Sequence, residues 1–114
     1  MTPERAVTVI IPTLGLRERA GSLRAAIRSA LEQAGVTTTV IVILNGSQRD
    51  PDIERELRDN VRVALVVRDA RGLPAALAAG RAMVRTPWFS SLDDDDLYLP
   101  GGLQLRVRAL EQRP

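Results

Sequence analysis

The residues from Ser90 to Pro100 read SSLDDDDLYLP, with four aspartates, Asp93 to Asp96, directly after an apolar run. Adjacent like charges repel and resist burial, so this placement needs a reason. Three are open: a helix cap, a solvated surface, or a metal site. A cap uses one aspartate, which also favours the positive end of a helix dipole, and Asp96 is the one placed for it. Four in a row call for more. Carboxylate oxygens suit hard cations such as Mg²⁺, Mn²⁺ or Ca²⁺.

Other chemistry is scarce. The chain has no His and no Cys. That excludes a Ser–His–Asp triad, imidazole- or thiolate-bound zinc, and a disulfide framework. All 16 basic residues are Arg, yet the net charge is only +2 and the arginines are scattered. With aromatics at 3% there is little to stack on bases, so nucleic acid is not an expected partner. The composition is that of a soluble globular chain, and 114 residues make one domain. No apolar run reaches the roughly 18–20 residues that span a bilayer. The N-terminus lacks a signal-peptide pattern. A cytoplasmic location is the default expectation.

The elements that must position the aspartates follow from hydrophobic pattern. Val7–Ile11 is a β-branched run ended by Pro12, which predicts a buried strand. Gly21–Ala34 carries Leu23, Ile27, Ala30, Leu31 and Ala34 at helical spacing, with Ser22 as N-cap and Gly35 as stop. Thr38–Leu44 is a second strand, closed by the turn Asn45-Gly46-Ser47. A short polar helix over Asp52–Asp59 precedes a third strand, Val61–Val67. An Ala-rich helix, Leu73–Val84, takes Pro74 in its first turn. Trp88–Leu92 is a fourth strand. Leu99–Leu110 is a last helix, with Pro100 in its first turn and Leu103, Val107 and Leu110 on one face.

The order β-α-β-α-β-α-β-α predicts an α/β fold with a doubly wound, mostly parallel sheet. Ligands of such sheets bind beyond the carboxyl ends of the strands, where strand order reverses. With order 3-2-1-4 that crevice lies between strands one and four. Pro12-Thr13 closes strand one and the aspartates close strand four. The acidic cluster therefore falls where a ligand is expected.

Four blocks in this order resemble the N-terminal, nucleotide-sugar-binding half of a family 2 glycosyltransferase of GT-A fold, a Rossmann-like subdomain. They are Val9-Ile10-Ile11-Pro12-Thr13, Leu44-Asn45-Gly46-Ser47, Ala70-Arg71-Gly72-Leu73-Pro74-Ala75-Ala76-Leu77-Ala78-Ala79-Gly80, and Leu92-Asp93-Asp94-Asp95-Asp96 with Pro100 beyond it. The resemblance covers nearly the whole chain, residues 1–114. It implies transfer of a sugar from a UDP-, dTDP- or GDP-linked donor to an unknown acceptor, with Mn²⁺ or Mg²⁺ as cofactor. Pro12 and Thr13 would line the nucleotide pocket. Asn45 would sit near the base, Arg71 and Gly72 beside the nucleoside, and Asp94 at the ribose. Asp93 and Asp95 would be the metal-binding pair, Asp95 as the direct ligand. The cation would neutralise charge on the leaving diphosphate.

The chain departs from the family pattern in three ways. Leu44 stands where the base-binding turn usually has an acid. Leu77 and Ala78 replace an Arg and an Asn in the third block, removing a charge-assisted contact worth roughly 1.5–3 kcal/mol when formed. The acceptor-binding half and its catalytic base, which normally come next, are not in this sequence; a fragment or a naturally short protein is the expectation. The rival reading is a non-catalytic nucleotide-binding or assembly module, favoured by those departures. A nucleotidyltransferase would show a Gly-rich basic loop after strand one, of which Leu14-Gly15-Leu16-Arg17 is a poor version. Strand edge and apolar surface left without cover would promote homo-oligomers.

Overall fold

The computed structural model describes residues 5–112. Four strands form one sheet, β1 (Ala6–Thr13), β2 (Thr37–Asn45), β3 (Val63–Arg68) and β4 (Trp88–Ser91), in the order β3-β2-β1-β4. The three neighbouring pairs are all parallel. Four helices alternate with them: α1 (Ala20–Leu31), α2 (Pro51–Asp59), α3 (Leu73–Arg81) and α4 (Gly102–Glu111). A one-turn 3-10 segment, Arg17–Arg19, precedes α1. This is the alternating, doubly wound α/β topology of a Rossmann-like GT-A subdomain, with the switch point between β1 and β4. Among the described residues no helix is long and apolar enough to cross a membrane.

The two faces of the sheet are unequal. Val7, Val9, Ile11, Val40, Val42 and Leu44 point to one side and pack with α1, α2 and α4. Ile10, Ile41 and Ile43 point to the other and pack against Ala76 of α3. Central strands buried on both sides read as continuous β-branched runs, which is why β1 and β2 were legible. Each such side chain, taken fully out of water, contributes roughly 1.5–3 kcal/mol.

Several boundaries differ from expectation, each for a local reason. β1 does not stop at Ile11 but runs through Pro12 to Thr13. The amide of Leu92 bonds the carbonyl of Ile10 at 2.9 Å, so even-numbered residues of β1 face β4. Pro12, two residues on, faces the side where β4 has already ended, and its missing N–H breaks no ladder bond. Ser22 is not the cap of α1; it lies inside the helix and its hydroxyl donates to the carbonyl of Arg19 at 3.0 Å. The helix ends at Leu31, three residues before Ala34.

β3 begins at Val63, leaving Val61 99% exposed. The helix after it, α3, ends at Arg81 rather than Val84, and β4 ends at Ser91, one residue before Leu92. Pro100 lies ahead of α4, not in its first turn, and Leu110 is exposed while Leu103 and Val107 are buried. Asp50, which sequence reading passed over, caps α2 by accepting the amide of Asp52 at 2.8 Å.

Candidate functional site

β1 and β4 end side by side, and the loops leaving the two strands build the site. At the end of β1, the Thr13 hydroxyl donates to Oδ2 of Asp94 at 2.7 Å and accepts the amide of Gly15 at 3.1 Å. The loop turns at Gly15 with φ +68°, where any β-carbon would collide with the side chain of Leu44 beneath it. The loop then tightens into the 3-10 turn, which aims Arg19 back at the aspartates. Arg19 donates to Oδ1 of Asp94 and stands 3.3 Å from Oδ2 of Asp95. First the hydrogen bond with Asp94 and then its charge raise the Arg19 pKa further above the ordinary guanidinium value.

The four aspartates are thus not equivalent. Asp94 is 7% exposed and held by two donors; Asp93, Asp95 and Asp96 are exposed. The amide of Asp96 bonds the carbonyl of Asp93 at 3.1 Å, folding the stretch into a tight turn. Asp96 does not cap a helix: α4 begins six residues later, and the Asp96 carboxylate accepts the amide of its neighbour Leu97 at 2.9 Å. The far end of the turn is tied to α1. The amide of Tyr98 donates to Ser29 Oγ at 3.1 Å, and buried Gln33 takes the Leu103 amide on its carbonyl oxygen at 3.0 Å. Gln33 therefore supplies the N-terminal cap that Gly101, having no side chain, does not.

A cleft of about 340 Å³ opens at these strand ends. Its walls include Pro12 and Thr13 from β1, Asn45 from β2, Gly72 before α3, and Arg19 and Asp94. Asn45 is buried and its amide is engaged at both ends: Nδ2 donates to the Gly72 carbonyl at 3.1 Å, and Oδ1 accepts from Arg68 at 2.8 Å. It ties Gly72 to the ends of β2 and β3 along one wall of the cleft. Arg71 stands outside the lining, exposed, and donates to Gln48 at 3.1 Å. Leu44 is fully buried in the larger core, so position 44 offers nothing to a ligand. A groove of equal volume lies between α1 and α2, near the amino ends of β2 and β3. Its Arg24 and Glu56 satisfy one another at 2.8 Å, and the switch point is elsewhere, so the β1–β4 cleft is the candidate.

A family-wide sequence model described as Glycosyl transferase family 2 matches residues 8–114, from within β1 to the last residue. The chain belongs to that family. It is also similar to an uncharacterized glycosyltransferase of Rickettsia conorii, 29% identical over 107 residues. That match covers 93% of this chain but only 17% of the relative, so the chain spans about a sixth of that protein's length.

Family 2 membership suggests use of a divalent cation, and the residues can be tested for one. Among the described residues no group of three or more His, Cys, Asp or Glu side chains is placed to hold a metal ion. Asp94, the most deeply buried of the four acids, already has both oxygens engaged. Asp93 and Asp95 remain exposed at the rim. A hard cation takes six or more oxygens, but Mg²⁺ is commonly held by one or two carboxylates together with substrate phosphates and water. The acidic turn does not fit a cation held by the protein alone; one or two of its carboxylates would have to share it with phosphate oxygens and water. Sequence reading missed Arg19, Arg68 and Gln33. Each acts on a partner far along the chain, and no local pattern marks it.

Proposed function

We propose that this chain is the donor-binding domain of a glycosyltransferase that moves a sugar from a nucleoside-diphosphate sugar to an acceptor. The observation that carries this reading is the Thr13–Asp94 hydrogen bond. It joins the ends of β1 and β4 at the wall of a cleft at the switch point, in a family 2 chain. In this reading the nucleoside lies in the cleft, between Pro12 and Thr13 on one side and Asn45 and Gly72 on the other. Asp94 faces the ribose. Arg19 offers a planar pair of donors to phosphate oxygens. Asp95, with Asp93, would hold Mn²⁺ or Mg²⁺ against the diphosphate, where a bound cation supplies Lewis-acid neutralisation of the leaving group. The acceptor and the group that deprotonates it are not assigned to any residue of this chain.

Calorimetric titration with UDP, dTDP and GDP, with and without Mn²⁺, tests the reading. One of the three should bind, more tightly with Mn²⁺, and Asp95→Ala should abolish the metal's contribution. A folded chain that binds none of them sinks it. A second reading, a nucleotide-binding module without catalysis, is favoured by half-buried Leu77 and exposed Ala78, which carry no charge toward a donor. Nucleotide binding by a longer protein containing this domain, without sugar transfer or donor hydrolysis, would select it.

A further inference from the structure

We infer that Arg19 is an exchangeable counter-ion of the acidic turn, and that its exchange adds to the cooperativity with which nucleoside diphosphate and divalent cation bind this domain. The inference rests on the donor-site reading above and adds a residue and a coupling to it. Arg19 is well placed for exchange. Its side chain is 42% exposed, sits on a single 3-10 turn, and contacts Asp94 and Asp95 at once. Asp94 does not depend on it alone, because its other oxygen keeps the Thr13 hydroxyl. Asp95 has no second anchor of that kind among the described residues: it is exposed, and its ion pair is with Arg19.

The neighbouring cations are committed elsewhere. Arg17 pairs with Asp50 and Asp52, Arg49 with Glu54 and Asp69, and Arg68 bonds Asn45. Arg19 alone among these lines the cleft and touches the acids.

A guanidinium bridging two carboxylates and a divalent cation bound to one of them exclude each other, since like charges at such range repel strongly. Without substrate, Arg19 therefore keeps Asp95 from metal. A diphosphate in the cleft is the better partner for the guanidinium, with more charge and a geometry that matches its fork. As Arg19 turns to the diphosphate, Asp95 is released to a cation. Each ligand then raises the affinity of the other by the same factor.

The probe is Mn²⁺, titrated calorimetrically alone and again with UDP, GDP or dTDP present, whichever binds. Arg19→Gln should bind Mn²⁺ alone about tenfold more tightly than the unaltered chain, and the factor by which the nucleotide tightens Mn²⁺ should fall about tenfold, leaving only the part owed to phosphate oxygens on the cation itself. Arg17→Gln removes an equal charge two residues away and should change neither value, which separates local exchange from general electrostatics. Arg19→Lys, keeping the charge, should retain weak binding of Mn²⁺ alone, and it also serves if Arg19→Gln fails to fold: Lys tighter than the unaltered chain overturns the inference. So does a folded Arg19→Gln with unchanged Mn²⁺ affinity. Nucleotide binding with no effect of Arg19 on Mn²⁺ rejects the counter-ion and leaves the donor site standing. No nucleotide binding in any variant rejects the donor site and the cooperativity together.

Discussion

Thr13, the last residue of β1, donates its hydroxyl hydrogen to Asp94 across 81 positions of sequence, at 2.7 Å and with both residues buried. The same oxygen accepts the Gly15 amide, so one hydroxyl holds the acid and shapes the loop that returns Arg19 to it. Thr13→Val keeps the shape and removes both bonds. Stripping a donor from a buried carboxylate costs about 1–3 kcal/mol, so the urea midpoint should fall accordingly. Thr13→Ser should recover most of it. A valine variant as stable as the unaltered chain would mean that Asp94 finds another donor.

Gln33 links three parts of the chain. Its amide donates to the carbonyls of Ser29 and Leu99, and its oxygen caps α4 through Leu103. Gln33→Met fills similar space without these bonds. It should destabilise by about 1–3 kcal/mol, because a buried helix-end amide loses its acceptor. Amide hydrogen exchange at Leu103 should speed up more than at the centre of β1. Uniform loss of protection across the chain would contradict a local cap.

The cases of Gln33 and Arg19 show what could be read from the sequence and what could not. Strands β1 and β2 announce themselves because both faces are buried and nearly every residue must be apolar. Right-handed crossovers allow the order 3-2-1-4 but do not dictate it; once that order holds, the site's position follows from where the strands end. Helix boundaries are another matter. Ser22 looks like a cap but lies within α1, and the cap of α4 comes from a glutamine 70 residues earlier. Within the aspartate run, only the turn's geometry makes Asp94 the buried one, and four identical residues carry no sign of it. Arg19 sits in an Arg-Glu-Arg triplet that reads as a solvated turn; its partner Asp94 lies 75 positions away, with Asp95 next to it.

Gly80 shows a packing limit on the thinner face. Alanine normally favours a helix by roughly 1 kcal/mol over glycine. Here a β-carbon would lie 2.5 Å from Cγ2 of Ile10 and 3.2 Å from its Cγ1. Ile10 is β-branched and locked in the central strand, so it cannot swing away. The clash should outweigh the propensity, and Gly80→Ala should destabilise by about 1–3 kcal/mol. Pairing it with Ile10→Ala, which removes both obstructing γ carbons, should cost less than the sum of the two single changes. Simple additivity in denaturation would show that the two residues do not meet.

Asn45 should act by positioning rather than by contact with the base. Both ends of its amide are used in tying β2 to Gly72 and Arg68. Asn45→Ala frees the wall carrying Gly72, so affinity for every nucleoside diphosphate should drop by a similar factor, about tenfold for two lost hydrogen bonds. A residue reading the base would instead change the ranking of UDP, dTDP and GDP. Comparing the three affinities in the variant decides between these roles.

Stability should fall at both ends of the pH scale, for groups that can be named. At the acid end Asp50 is held below the usual carboxylate range, first by the Asp52 amide it caps. Glu54 is lowered by hydrogen bonds from Arg49 and Arg58, and Glu56 by Arg24. In that window the unfolded chain binds more protons than the folded one, so stability rises with pH. The contribution is complete above the ordinary value near pH 4 and is lost as pH falls through the lowered ones. The gap in urea midpoint between the unaltered chain and Asp50→Ala should therefore be constant around neutrality and shrink below about pH 4. At the alkaline end, burial raises the Tyr98 hydroxyl, against the hydrogen bond with Ser90 that lowers it. The folded chain keeps a proton that the unfolded chain releases, so stability declines as pH climbs past about 10. Tyr98→Phe should lose the Ser90 bond at neutral pH but show a flatter alkaline limb. If both limbs keep their slopes in these two variants, the pH dependence belongs to other groups.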